Sequence, residues 1–407
     1  MKHRLELYGT LGPSDCDKAT LKEMFHYGMT GLRLNLSHRS LPDCRDWLQN
    51  LYEVSEELHI VPDLLVDLQG PELRIGELAE PLVLKEGDSV SLTALHIPNL
   101  VLDLIKPGQR LLLDDGKIQI ETIAGSVLQN LNGSIASGTV SHTLNEAIAS
   151  GTKSQDSNSS IISGMKPHDL IKTTVSGTDP AGSAESGNGD NVDPSSAVAR
   201  VLAGGTLLSR KSLAFKDDTV KEALLTLPTL TDKDLENLSL LRQYRVTGVM
   251  LPFVRNAKDL MALKKALLDT GNSHVRVFAK IENQAGIDQL PSLLPHCDHV
   301  VIARGDLANA VGIVHLPAIQ KKIARLCQRT KTPFMVVTQM LASMEQNPVP
   351  TRAEVSDIFN AVLDGAASLM LTGETAIGSY PAEAIRILSD VSFEAQRYQK
   401  DMRFFNL

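Results

Sequence analysis

The chain has 407 residues, 43% hydrophobic and 22% charged, enough apolar material for more than one domain and ordinary for a globular enzyme. Forty basic against 48 acidic residues leave a net charge of −8, which argues against nucleic acid as a partner and requires any anionic substrate to meet local positive charge. Cys16, Cys44, Cys297 and Cys327 form neither a CxxC pair nor a zinc spacing, and no apolar run reaches membrane-spanning length, so free thiols, no membrane partner and a cytoplasmic location are expected.

Along the chain, short apolar runs predict strands at Leu5–Gly9, Gly31–Ser37 and Pro62–Asp67. Between the first two, Leu21, Met24 and Phe25 repeat at helical spacing, which predicts a helix over Asp17–Tyr27 with Ser14 or Asp15 as its cap. The alternation then breaks from about Gly76 to Asp217. Within the break, Leu82–Leu92, Arg110–Ile123 and Gly205–Phe215 read as strands with turns at Glu86-Gly87 and Asp115-Gly116. Residues 151–196 are rich in Ser, Gly, Asn and Asp, too poor in apolar side chains to offset ordering entropy, and are expected to form a mobile loop. Strands resume at Thr247–Val254, Val275–Ile281, His299–Ala303, Pro333–Thr338 and Ser368–Thr372, with helices at Pro317–Thr330 and Arg352–Leu363. Eight strands alternating with helices predict an α/β fold, a (β/α)8 TIM barrel over 1–76 and 217–395. A small β lid domain over 77–216 is inserted after strand three, and 396–407 is read as a C-terminal tail.

In such a barrel the chemistry belongs at the carboxyl ends of the strands. Glu282 and Asp306 follow strands five and six there. Two carboxylates converging at that rim repel unless a cation lies between them, and oxygen-only ligands suit Mg²⁺ or Mn²⁺; the alternative is that each forms a structural ion pair. Lys280 precedes Glu282 by two and shares its side of the strand. An ammonium so placed suits a transferring phosphoryl group or an enolate oxygen, with a Schiff base or a satisfied core lysine as rivals. Arg33, Asn35 and Ser37 alternate onto one face; Asn35 and Ser37 supply neutral oxygens and Asp67 adds one charge, a set suited to a monovalent cation. Arg33 and Arg74 suit bidentate phosphate binding. Thr338 and Thr372 end strands seven and eight, where hydroxyls either serve substrate or merely form turns. His38 and His299 read as packing or surface histidines.

The strings Thr10-Leu11-Gly12-Pro13, Arg33-Leu34-Asn35-Leu36-Ser37-His38, Gly70-Pro71-Glu72-Leu73-Arg74, Lys280-Ile281-Glu282-Asn283, Ala303-Arg304-Gly305-Asp306-Leu307, Thr338-Gln339-Met340-Leu341, Pro350-Thr351-Arg352-Ala353-Glu354 and Gly373-Glu374-Thr375-Ala376, in that order, resemble pyruvate kinase. The resemblance implies a β-barrel lid after the third strand and phosphoryl transfer from phosphoenolpyruvate to ADP, giving pyruvate and ATP in glycolysis. It implies Mg²⁺ (or Mn²⁺) on Glu282 and Asp306, and K⁺ on Asn35, Ser37, Asp67 and the main-chain carbonyl of Leu68, with Glu72 tied to potassium dependence. Lys280, Arg33 and Thr338 become the catalytic set. Substrate contacts add Arg74, Ala303, Gly305, Asp306 and Thr372, and the nucleotide side takes His38, Arg74 and Lys211.

Several positions depart from the family pattern. Leu68-Gln69 stands where Thr-Lys is usual, Ala308-Asn309-Ala310 replaces Gly-x-Glu, Pro252 replaces a small Ser, and Ser212-Leu213-Ala214 alters the lid string. The chain stops at Leu407 about where the family's C-terminal regulatory domain would begin, so sugar-phosphate control is not expected; a homo-oligomer stays open. Two other functions compete: a noncatalytic or altered-substrate paralogue, and a metal-dependent enolate-forming lyase or aldolase on the same barrel.

Overall fold

The computed structural model of the chain describes residues 5–37, 39–70, 73–97, 102, 105–114, 116–123, 198–215 and 228–404. His38, Glu72 and the 151–196 segment lie outside them. Two compact units are present, Met1–Leu73 with Lys221–Leu407, and Arg74–Val220.

Strands β1 (Glu6–Thr10), β2 (Gly31–Asn35) and β3 (Asp63–Asp67) open the first unit. Those among the described residues of the second are β4 (Leu82–Leu84), β5 (Ser89–Ser91), β6 (Arg110–Leu113), β7 (Ile118–Ile123), β8 (Val198–Ala203), β9 (Gly205–Leu207) and β10 (Leu213–Phe215). The first unit resumes with β11 (Gly248–Leu251), β12 (Arg276–Ile281), β13 (His299–Ala303), β14 (Phe334–Val337) and β15 (Ser368–Met370). Its strands pair in parallel in chain order and β15 closes onto β1, which makes the eight-stranded α/β TIM barrel expected from the alternation.

Strand parity decides what faces the barrel axis. Tyr8, Leu65, Met250, Phe278, Val301, Met335 and Met370 form one buried interior cluster. Their neighbours Leu7, Leu64, Val249, Val277, Val300, Phe334 and Leu369 join the larger core under the helices. Two residues beyond the interior layer, the same parity delivers Asp67, Lys280, Ala303 and Val337 to the carboxyl rim. The opposite end is closed by a polar set: Tyr8 donates to Glu6 at 2.9 Å and Asp63 at 3.0 Å, and Arg276 pairs with Asp63 at 2.7 Å.

Among the described residues the α-helices are α1 (Lys18–His26), α2 (Arg45–Glu57), α3 (Asp232–Leu240), α4 (Ala257–Asp269), α5 (Gln284–Asp288), α6 (Leu290–Leu293), α7 (Arg304–Val311), α8 (Leu316–Thr330), α9 (Arg352–Leu363), α10 (Gly373–Ala376) and α11 (Pro381–Phe404). Asp17 caps α1, accepting from the N–H groups of Ala19 at 2.9 Å and Thr20 at 3.0 Å. Asp15, one of the two caps expected, is turned inward to the Gly12 N–H at 2.6 Å. Residues 396–404, expected to be tail, continue α11. Gln399 donates to the Val362 carbonyl at 3.0 Å and Tyr398 packs on Phe359 at 5.7 Å, so α9 supplies partners that the local sequence does not reveal.

In the second unit the described residues form an antiparallel sheet of order β10-β6-β7-β8-β5 and a separate β4-β9 ladder. The small β-barrel expected here also takes in segments that lie outside the described residues. The run read as one strand over Leu82–Leu92 breaks where Gly87 adopts φ +89°, and its halves join different sheets. Gly205–Phe215 divides in the same way, and β8 was not anticipated.

A buried carboxylate pins the loop that follows β3. Asp234, at the start of α3, accepts from the Gln69 N–H at 2.8 Å, the Gly70 N–H at 3.0 Å and the Thr231 N–H at 2.9 Å. Gly70 has φ +59°, and a Cβ there would come within 2.6 Å of the Pro252 ring. Pro252 therefore fits because its neighbour across the rim has no side chain. Asp234→Ala strands these donors in a buried setting and should lower unfolding free energy by about 2–3 kcal/mol in urea titrations; an unchanged midpoint would mean that Asp234 anchors nothing.

Candidate active site

Four charged side chains meet at the carboxyl ends of β2, β3 and β12. The Asp67 side chain is 3% exposed and is gripped from two sides, by the Arg33 guanidinium at 2.6 Å and the Lys280 ammonium at 3.0 Å. Lys280 also reaches Glu282 at 3.0 Å, whose other oxygen accepts the Phe253 N–H at 2.7 Å. Phe253 has φ +51°; this left-handed turn aims its N–H at Glu282. The result is a buried chain, Arg33–Asp67–Lys280–Glu282, of alternating charge.

Electrostatics follow from the order of the chain. Burial alone would raise the Asp67 carboxyl, but Lys280 and Arg33 outweigh it and hold that group below the usual aspartate range. Burial alone would lower Lys280; Asp67 and Glu282 overcome this and push it above the ordinary lysine range. Glu282 shares the Lys280 ammonium with Asp67, and burial, together with the Asp67 charge, lifts it above the usual glutamate range against the pull of Lys280. The Glu282 carboxylate is therefore the least compensated member of the chain, the one whose charged form a nearby cation would favour most.

The donor sets fit the two implied cations. Among the described residues no group of three or more His, Cys, Asp or Glu side chains is placed to hold a metal ion, yet Mg²⁺ commonly takes only one or two carboxylates plus substrate and water oxygens. Glu282 supplies one. In register, Ile281 lies opposite Ile302, which puts Asp306 just past the neighbouring strand end, in the first turn of α7. For a monovalent ion, Asn35 stands directly opposite Asp67. The Asn35 side-chain oxygen accepts the Ser37 N–H at 3.1 Å, and with the Ser37 hydroxyl and main-chain Leu68 the set is all oxygen. Since Leu68 would contribute only its carbonyl, the loss of a threonine there leaves that donor in place.

Across the mouth, Thr338 and Gln339 have φ +76° and +53°. Left-handed backbone at a β-branched residue costs about 1–3 kcal/mol and persists only where its surroundings enforce it. Arg304 donates to the carbonyls of Thr338 at 2.8 Å and Gln339 at 3.2 Å and is itself paired with Asp357 at 2.6 Å. Buried Glu374 accepts from the N–H groups of Leu341 at 3.0 Å and Thr372 at 2.7 Å. A Cβ on Gly305 would touch Thr338 Cγ2 at 3.2 Å, so the Thr338 side chain lies against the start of α7. No side chain caps α7 at Ala303. Thr338, Thr372, Ala303 and Gly305 thus share one rim.

Arg74 and Lys211 belong to the second unit. Arg74 donates to the Arg210 carbonyl at 2.8 Å and bridges to Ser212, while Lys211 pairs with Asp114 at 2.8 Å. In the altered string, Leu213 and Ala214 pair with Leu113 and Leu112 of β6, and Ser212 makes an isolated bridge to Arg74.

Comparison with known families decides the ancestry: the family described as "Pyruvate kinase, barrel domain" matches residues 2–143 and 189–385. The chain belongs to the pyruvate kinase family. Pyruvate kinase 2 of Synechocystis is 30% identical over 96% of this chain, which spans 56% of that protein. The pyruvate kinase of Chlamydia muridarum is 28% identical over 99% of the chain and 71% of its own length; that of Borreliella burgdorferi is 26% identical over 97% and 69%. Against the pyruvate kinase motifs, sequence reasoning missed three anchors: Asp234, Arg304 and Glu374. Arg304 adjoins Gly305-Asp306 and Glu374 follows Thr372 by two, but nothing local says that their partners are main-chain groups of other loops.

Asp67 is the partner of two buried cations, so Asp67→Ala should cost about 3–5 kcal/mol of stability. Adding Lys280→Met to that variant should recover part of the loss, because one stranded charge is removed. Denaturant titration of the double-mutant cycle checks this, and strict additivity of the two changes would contradict the shared pair.

Proposed function

We propose that this chain catalyses phosphoryl transfer from phosphoenolpyruvate to ADP, yielding pyruvate and ATP. The observation that carries the reading is the buried Arg33–Asp67–Lys280–Glu282 chain at the barrel's carboxyl rim, in a protein of the pyruvate kinase family. Asp67, held as a carboxylate, fixes the heads of Arg33 and Lys280 without neutralising both. Each cation keeps donor capacity for a phosphate oxygen. Uncapped N–H groups at the start of α7, around Gly305 and Asp306, are oriented to bind the substrate carboxylate. Arg74 and Lys211 are the candidate cations for nucleotide phosphates.

In the transfer, the bond from phosphorus to the enol oxygen breaks as a bond to a terminal ADP oxygen forms. Lys280 offsets the charge spread over the moving phosphoryl group and the departing enolate oxygen; a fixed cation in a water-poor site is most effective there. The enolate carbon then takes a proton, and the Thr338 hydroxyl is the candidate to orient the water that delivers it. Mg²⁺ (or Mn²⁺) at Glu282 and Asp306 would screen phosphoryl charge, and K⁺ at Asn35, Ser37, Asp67 and Leu68 would complete the positive field.

A coupled assay for pyruvate from phosphoenolpyruvate and ADP, with divalent cation, tests the reading. Turnover should vanish with chelator and fall when K⁺ is replaced by a bulky organic cation. Lys280→Met should lower it by about 10²–10³-fold, with Lys280→Arg as the charge-preserving control and a thermal melt to check folding. Wild-type turnover in Lys280→Met would remove the assigned role. Substrate binding without turnover would favour a noncatalytic paralogue, and pyruvate enolisation without any nucleotide reaction a lyase.

A further inference from the structure

We propose that Arg304 is a positioning residue for the proton-delivery half of the reaction, acting through the main chain of Thr338 with Asp357 as its own orienting partner. The inference rests on the proposed phosphoryl-transfer reading. Its basis is geometric. The Thr338–Gln339 turn lies in the left-handed region at two successive non-glycine residues, with φ +76° and +53°. A threonine released from its surroundings would leave that region.

Arg304 supplies the restraint. Its Nε and a terminal nitrogen reach the Thr338 carbonyl at 3.2 and 2.8 Å, and the terminal nitrogen also reaches the Gln339 carbonyl at 3.2 Å. The other terminal nitrogen is fixed by Asp357 at 2.6 Å. A planar guanidinium can hold two carbonyls and a carboxylate at once; a lysine cannot reproduce that fork. With the Thr338 carbonyl held, rotation about its backbone is restrained, which fixes the position of the Cβ that carries the hydroxyl. Arg304 immediately precedes Gly305, against which the Thr338 methyl packs. One residue therefore couples the start of α7 to the turn after β14.

The guanidinium is also reachable from outside. It lines a cavity of about 490 Å³ together with Gln320, Lys321, Gln339, Asp357 and Asn360. A small cation replacing the lost side chain has a route to the same carbonyls.

The experiment compares two rates in Arg304→Ala: ATP formation from phosphoenolpyruvate, and exchange of pyruvate methyl hydrogens with labelled solvent. A positioning role predicts that exchange falls by roughly 10²-fold while ATP formation falls less, and that millimolar guanidinium restores exchange. Asp357→Asn should show the same split, smaller in size. Equal loss of both rates without rescue, or no loss, would overturn the proposal. If Arg304→Ala does not fold, Arg304→Lys and Asp357→Asn decide it, and an unchanged ratio of the two rates in both would overturn it. If the wild-type chain makes no pyruvate, the phosphoryl-transfer reading fails separately. Crystallography of Arg304→Ala then judges the clamp: a Thr338 that keeps its left-handed backbone refutes it, and one that relaxes supports it.

Discussion

A single buried carboxylate, Asp67, holds the rim of this barrel together. Without it, Arg33 and Lys280 would be two like charges a few Å apart in a site with little water. With it, they are fixed cations whose positions are set by ion pairs of 2.6 and 3.0 Å. The arrangement is costly to desolvate, and hydrophobic replacements of such chains are often at least as stable. Under the proposed function, its value lies in what it would present to an anionic substrate rather than in stability.

Acids recur as main-chain anchors at the same end of the barrel, Asp234, Glu282 and Glu374 buried and Glu354 half-buried. Asp234 holds the loop after β3, Glu282 the turn after β11, Glu374 the segments after β14 and β15, and Glu354 the Ser343 and Thr351 N–H groups at 2.7 Å each. Loop N–H groups beyond the strand ends need acceptors; Asp234 satisfies three of them, Glu374 two and Glu282 one. Part of the excess of acidic residues is thus internal to the loops. The same device tolerates unusual backbone, such as the left-handed Phe253, because hydrogen bonds to a charged acceptor outweigh the local strain.

The family departures find local accommodation. Gln69 is bound through its main chain to Asp234, so its side chain does not build the turn. Pro252 packs over Gly70. Ala308, Asn309 and Ala310 remain helical in α7, which ends where Gly312 turns to φ +83°. These substitutions remove side-chain functions without removing the backbone that carries the rim.

The eight strands and their order were legible in the sequence because a strand buried on both faces must be apolar and must stop at a polar group. That rule marked Asp67, Lys280 and Glu282 at once. Parity also put Lys280 and Glu282 on one side, as observed. The sequence by itself therefore determined the barrel, the inward faces of its strands and the residue types at its mouth, since these depend on local period and burial. Only the tertiary structure decided which charge answers which: that Asp67 takes both cations, that Asp17 and not Asp15 caps α1, that 396–404 extends α11, and that Arg304 grips Thr338. Those choices depend on distances between segments 34 to 213 residues apart or on competition between adjacent acids, and no local pattern encodes either.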